Sequence, residues 1–265
     1  MIIETHAHYD DEAFDADREE LLQELPEKGI GLVINVGASM RTTENSIGLA
    51  EKYPFIYAAA GVHPDDVDEL NEAAVEELHR YCRLKKTVAV GEIGLDYYWH
   101  KEKEHQKLQQ YWFRRQLAVA REEKLPFIIH SRDAAQDTFE ILKQENAGEI
   151  GGVIHCYSYS VELAREYVRM GLYIGIGGVV TFKNARKLKE VAADIPLDRI
   201  LLETDSPYMA PTPYRGKRNC SLYLPYVAEE IAHLRGISPE EVIEATEANA
   251  RRLFEKMDNE IIDIG

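Results

Sequence analysis

Cysteine is scarce: the 265 residues contain only Cys82, Cys156 and Cys220, with no CxxC spacing among them. A scattered set of odd number builds neither a disulfide framework nor a thiolate metal site, and it suits a reducing compartment. Positive charge is also short, with 31 Lys and Arg against 47 Asp and Glu for a net −16. The broad basic footprint of a dedicated nucleic-acid-binding protein is thereby excluded, and contact with any polyanion has to be local. No apolar run approaches the length of a membrane span, and the first dozen residues carry Glu4, Asp10, Asp11 and Glu12 where a leader would be apolar. Neither secretion nor a membrane association is expected, so the predicted location is cytoplasmic. Missing too is a GxGxxG loop after the first apolar run, which an open doubly wound sheet would use to hold phosphate. His6-Ala7-His8 stands there instead.

What the chain does have is an ordinary globular composition, 45% hydrophobic, which suffices for a large core without staples. Short β-branched runs recur over Ile2 to Thr5, Leu32 to Val36, Ile56 to Gly61, Thr87 to Gly91, Phe127 to His130, Gly152 to His155, Leu172 to Ile176 and Ile200 to Thr204. Each is followed by helical periodicity, as in Val67 to Leu84, Glu104 to Lys124, Lys183 to Ala193 and Tyr223 to Leu234. A further helix is announced by Ser238-Pro239-Glu240-Glu241, a capping box with proline at the first helical position, and is predicted to run to about Phe254. Strands alternating with helices predict a parallel sheet. Eight such units predict an α/β fold closed as a TIM-type (β/α)8 barrel, one domain over 1–265.

Metal-competent side chains fall at the ends of these strands: His6 and His8 on strand one, Glu92 on four, His130 on five, His155 on six and Asp205 on eight. In a β/α barrel those ends share one mouth, where polar residues read as catalytic. A separation of two puts both strand-one imidazoles on one face. Imidazole and carboxylate suit Mg, Zn, Mn, Co or Ni without choosing among them. Six groups exceed what one ion with an open position needs, so two ions bridged by Glu92 are predicted, with Asp205 as the general base. Glu203, two residues before Asp205, is a candidate supporting group or a barrel-interior ion pair.

His63 ends strand three on the same rim, placed to touch a scissile phosphate or to handle the leaving group's proton. His79, His100, His105 and His233 belong to helices and are read as surface residues. Arg132, Lys183 and Arg215, with Lys217 and Arg218 nearby, follow rim strands and are candidates to hold phosphate oxygens. Tyr157, Tyr159, Tyr208 and Tyr214 are candidates to stack on bases.

Thr5-His6-Ala7-His8, Gly91-Glu92-Ile93-Gly94-Leu95-Asp96, His130-Ser131-Arg132-Asp133-Ala134, His155-Cys156-Tyr157-Ser158 and Glu203-Thr204-Asp205-Ser206-Pro207, in that order, resemble the TatD family of metal-dependent deoxyribonucleases. The resemblance extends to Gly61-Val62-His63-Pro64, the loop Arg215 to Asn219 and the closing Asn249 to Phe254. It implies an amidohydrolase-superfamily barrel and metal-dependent DNase activity of 3′–5′ exonuclease character. It also implies that His6, His8, Glu92 and Asp205 hold one ion, and Glu92, His130 and His155 the other. A glutamate at the bridging position, in place of the modified lysine of many superfamily relatives, favours the nuclease branch. Tyr159 and Cys220 depart from the family's usual glycine and glutamate, which bears on substrate shape or rate; Cys220 is read as an uncharged substitute. The expected partner is DNA or another phosphodiester held in the metal cleft, with no obligate protein partner. Fold and metals do not fix the bond cleaved, so the alternative is a metal-dependent amide or ester hydrolase of the same superfamily. A non-enzymatic metal-binding protein is the third possibility.

Overall fold

The computed structural model describes residues 1–257; the part of the expected 1–265 domain that lies in 258–265 is outside the described residues. The strands are β1 (Ile2–Ala7), β2 (Ile30–Val36), β3 (Ile56–Ala60), β4 (Thr87–Asp96), β5 (Phe127–Arg132), β6 (Gly152–Ile154), β7 (Tyr173–Ile176) and β8 (Ile200–Leu202). They form one sheet in chain order, every consecutive pair parallel. Helices α1 (Arg18–Glu27), α2 (Met40–Lys52), α3 (Glu72–Cys82), α4 (Lys103–Glu123), α5 (Ala135–Gln144), α6 (Val161–Arg169), α7 (Arg186–Asp194) and α8 (Leu224–Arg235) follow the strands in turn, and α9 (Pro239–Leu253) ends the series. The ring closes just past β8, where Ala7 bridges Ser206 and the amides of Asp205 and His8 donate to the carbonyls of His6 and Ser206, both at 2.9 Å. This is the expected TIM-type barrel.

The N-terminal end of the barrel is filled. Inward residues near the strand starts, including Ile3, Val88, Ile128, Val153 and Leu201, pack against Leu253, Phe254 and Met257 at the end of α9. Asn249 fastens α9 there by donating to the carbonyls of Leu197 and Ile200, both at 2.8 Å. The capping box starts this helix as expected: Ser238 Oγ accepts from the Glu241 amide and Glu241 Oε2 from the Ser238 amide. With one end plugged, the cavity formed by the described residues opens at the C-terminal ends of the strands.

Beyond shifts of two or three residues at element ends, two elements differ from expectation. The helix predicted over Val67 to Leu84 is a 3-10 segment, Pro64–Glu69, followed by α3, because Asn71 caps the Ala74 amide at 3.1 Å and restarts the helix. Strand β4 runs five residues beyond Gly91, to Asp96. The glycines that suggest its end serve close approach: a Cβ on Gly94 would lie 1.9 Å from the His130 carbonyl oxygen, so only glycine lets β4 and β5 stay paired there.

Candidate metal centre

His6, near the end of β1, and His8, just past it, stand two residues apart and both turn their rings toward Glu92. His6 Nε2 and His8 Nε2 are 3.1 Å apart. His8 Nδ1 is 2.8 Å from the Val36 carbonyl, which can only accept, so Nδ1 donates and Nε2 is the nitrogen that would be bared to a cation on loss of its proton.

Glu92 sits among the imidazoles, mid-strand rather than at a strand end, and its two oxygens face different partners. Oε2 lies 3.4 Å from His6 Nε2 and 3.7 Å from His8 Nε2. Oε1 lies 2.6 Å from His155 Nε2, 2.8 Å from His130 Nδ1 and 3.9 Å from His63 Nε2. Asp205 follows β8 with left-handed backbone (φ 57°), a conformation that costs a non-glycine residue about 1 kcal/mol. It swings Oδ1 to 3.4 Å from His8 Nε2 and 3.7 Å from His6 Nε2. All six expected ligand residues therefore meet, and His63 joins them, its ring edge-on to His130 at 4.2 Å.

Three carboxylates support the cluster. Asp96 Oδ2 lies 3.0 Å from His130 Nε2, while its Oδ1 accepts from the amides of Tyr98 and Trp99. Spacing identifies its inward face, four residues after Glu92, only once β4 is known to run that far. Glu4, which sequence reasoning also missed, accepts from the amides of His6 and Thr204 and from Ser221 Oγ. Glu203 is the expected inward group: Oε1 accepts from the Cys156 amide and lies 3.8 Å from His155 Nδ1. Gly175 makes room for it, since a Cβ there would come within 2.3 Å of Glu203 Oε2.

Electrostatically the cluster is built to neutralise positive charge. Burial pulls His8 and His130 down, but their carboxylate partners outweigh it and raise both to about 9. Burial pushes Glu92 and Asp205 up, yet neighbouring histidines hold both below the usual carboxylate range. Burial dominates elsewhere, lowering His6 to about 4 and raising Glu203 to about 8 and Glu4 to about 7. Protons thus collect on histidines whose nitrogens crowd the carboxylates, where a cation would take their place.

Among the described residues, buried His6 Nδ1, both ring nitrogens of His155 and Glu203 Oε2 have no hydrogen-bond partner. His155 Nε2 is close to Glu92 Oε1 but too poorly aligned to bond to it. Donor atoms of His6, His8 and Asp205, of His63, Glu92 and His130, and of His6, His155 and Glu203 come together in groups that could hold a metal ion. This donor set fits divalent cations.

The centre opens into a cavity of about 1650 Å³. Arg132 is in its wall, whereas Lys183 and Arg215 lie outside it; the Arg215 guanidinium packs over Phe182, 4.4 Å from the ring centre. Arg218 is engaged with Asp17. Arg41, on α2, is a cation of the wall that sequence reasoning missed, as no strand-end rule points to it. Tyr157 and Tyr208 line the cavity, while Tyr159 turns its hydroxyl to Ser131 and Tyr214 stacks on Tyr223. His79 pairs with Glu123 and His100 with Asp65, so neither is simply solvated.

A (β/α)8 barrel whose C-terminal mouth gathers histidines and carboxylates around a central glutamate defines the class: a metal-dependent hydrolase. The chain belongs to the TatD family, for the family model described as TatD related DNase matches residues 3–255. It is 44% identical over 254 residues to the metal-dependent hydrolase YabD of Bacillus subtilis, covering 96% of this chain and 99% of that one. To the 3′-5′ ssDNA/RNA exonuclease TatD of Cronobacter sakazakii it is 34% identical, covering 92% and 94%. The crystal structure of YjjV, a TatD homologue from Escherichia coli, superposes with a TM-score of 0.89 at 33% identity, covering 96% and 98%.

Proposed function

We propose that the protein is a deoxyribonuclease that removes nucleotides from 3′ ends, with two divalent cations as cofactors that Glu92 and the histidines around it would hold. The observation that carries this reading is the division of the Glu92 carboxylate, Oε2 toward His6 and His8 and Oε1 toward His130 and His155. His6, His8 and Asp205 would hold one ion and His130 and His155 the other. When bound, such ions supply Lewis acidity, acidifying water and drawing charge from phosphoryl oxygens.

Asp205 takes the proton from the water that attacks phosphorus. The bond from phosphorus to the 3′ oxygen breaks, that oxygen keeps the electron pair and is protonated, and a 5′-mononucleotide leaves. His63 Nδ1 accepts from the Asp65 amide at 3.1 Å, and burial, with His130 nearby, lowers the ring to about 3. A neutral ring accepting at Nδ1 carries its hydrogen on Nε2. His63 therefore donates to a non-bridging phosphoryl oxygen rather than handling the leaving group's proton. Arg132 is the wall cation placed to hold a neighbouring phosphate. The name of the Cronobacter relative supports the same substrate and direction.

The test is digestion of single- and double-stranded DNA and RNA, labelled at either end, with Mg²⁺ or Mn²⁺. Wild-type protein releases the 3′ label first and leaves a descending 5′-labelled ladder; Glu92→Ala leaves the strands intact. Cleavage that persists in EDTA, or turnover of esters or cyclic amides with none of nucleic acid, overturns the reading.

A further inference from the structure

Two tryptophans in this chain have opposite fates: Trp112 is packed into the core at 8% exposure, and Trp99 stands 64% exposed on the cavity wall. Exposing the largest side chain gains nothing from burial, so its position calls for a role. Its neighbour Tyr98 is also exposed, at 42%, with the two rings edge to face at 4.7 Å. The Arg132 guanidinium lies 3.9 Å from the Tyr98 ring centre and 5.7 Å from that of Trp99.

This aromatic turn is held in place by the centre itself. Asp96 Oδ1 accepts from the Tyr98 and Trp99 amides at 2.9 and 3.2 Å while Oδ2 meets His130, and the Tyr97 amide donates to the Arg132 carbonyl. The turn extends β4, and Arg132 ends β5. Across the mouth, after β1, the wall is acidic on balance, with Asp10, Asp11, Glu12 and Asp15 against Arg18, which pairs with Asp15. In a ring of eight strands β1 and β5 are diametrically opposed, so a polyanion crossing the mouth is repelled from one side and meets a cation with aromatic faces on the other.

We propose that Trp99, with Tyr98 and Arg132 beside it, is a base-stacking subsite that holds the terminal unpaired nucleobases of a single-stranded nucleic acid. Flat aromatic faces accept any base, and the stacked guanidinium takes the adjoining phosphate. In a duplex each interior base is stacked on both faces and the end pair is tied to its partner strand, which the net acidic wall repels. The inference rests on the nuclease reading above and assigns to Trp99 and its neighbours the holding of the strand's terminal bases.

Two measurements test it separately. The first is fluorescence titration with an oligodeoxythymidylate of about 12 nucleotides, in an Asp205→Asn background that prevents turnover. Emission is quenched with Trp99 present, and Trp99→Ala loses both the quench and about 5- to 100-fold in affinity. The second is hydrolysis by protein with Asp205 intact: Trp99→Ala raises KM for the strand by a similar factor with kcat little changed, and Trp99→Phe restores it. A strand whose terminal nucleotides lack bases is cleaved equally by wild type and Trp99→Ala. Equal affinity for the base-bearing strand with and without the Trp99→Ala substitution overturns the subsite. If the quench holds but no strand is cleaved, the subsite stands and the nuclease reading falls.

Discussion

Asp96 and His130 form a carboxylate–imidazole pair, Oδ2 to Nε2 at 3.0 Å, that leaves Nδ1 facing Glu92. A carboxylate behind a ligating imidazole fixes its orientation and raises its basicity. Asp96→Asn is expected to lower metal affinity or kcat/KM by about 10- to 100-fold, with activity recovering as Mn²⁺ is raised. A variant with unchanged metal dependence would show that His130 needs no such orientation.

Cations that bind the folded chain alone stabilise it by mass action, about 2.7 kcal/mol at 100 times Kd. For a domain of this size that amounts to a rise in Tm of about 5–10 °C. Scanning calorimetry of chelator-treated protein, with and without added Mn²⁺, reads it. Glu92→Ala, compared with itself under both conditions, is expected to show little of the shift.

Gly175→Ala places a methyl against the buried Glu203 carboxylate. Overpacking of this kind costs about 1–3 kcal/mol. Denaturant unfolding measures it, and combination with Glu203→Ala, which vacates the space, is expected to recover much of the loss. Purely additive costs would mean that the two positions do not crowd each other.

Burial raises the Cys82 thiol to about 12 and the Cys220 thiol to about 11. At pH 8 both are almost wholly protonated, which suits the expectation that Cys220 is uncharged. A disulfide reagent at that pH should therefore modify neither rapidly in native protein, and both promptly in denaturant. Fast labelling of Cys220 in native protein would mark it as activated.

The barrel and its six-residue cluster were legible because period-two alternation and strand ends are written in local pattern, as His6, His8 and His130 illustrate. Asp96 was not, since the apolar run reads as ending at Gly91, whereas Gly91 and Gly94 serve close packing of a strand that continues to Asp96. Asn71 interrupts an apolar periodicity that looked continuous from Val67, because a cap acts through one hydrogen bond that periodicity does not register. Lys183 and Arg215 follow the right strands yet lie outside the cavity wall, while Arg41 and Trp99 line it. Which loop residues face the mouth depends on how each loop folds back, and spacing along the chain does not encode that.

The two ends of the described chain are joined: the Met1 ammonium pairs with Glu247 of α9 at 2.7 Å, and β1 meets the segment after β8. During translation, His6 and His8 emerge early and must wait for Asp205, and the residues that stopper the barrel emerge later still. A ribosome-bound or prematurely terminated chain thus lacks an assembled centre. Hydrolysis at this centre would in this way await synthesis of Asp205 and of the α9 residues that close the far end of the barrel.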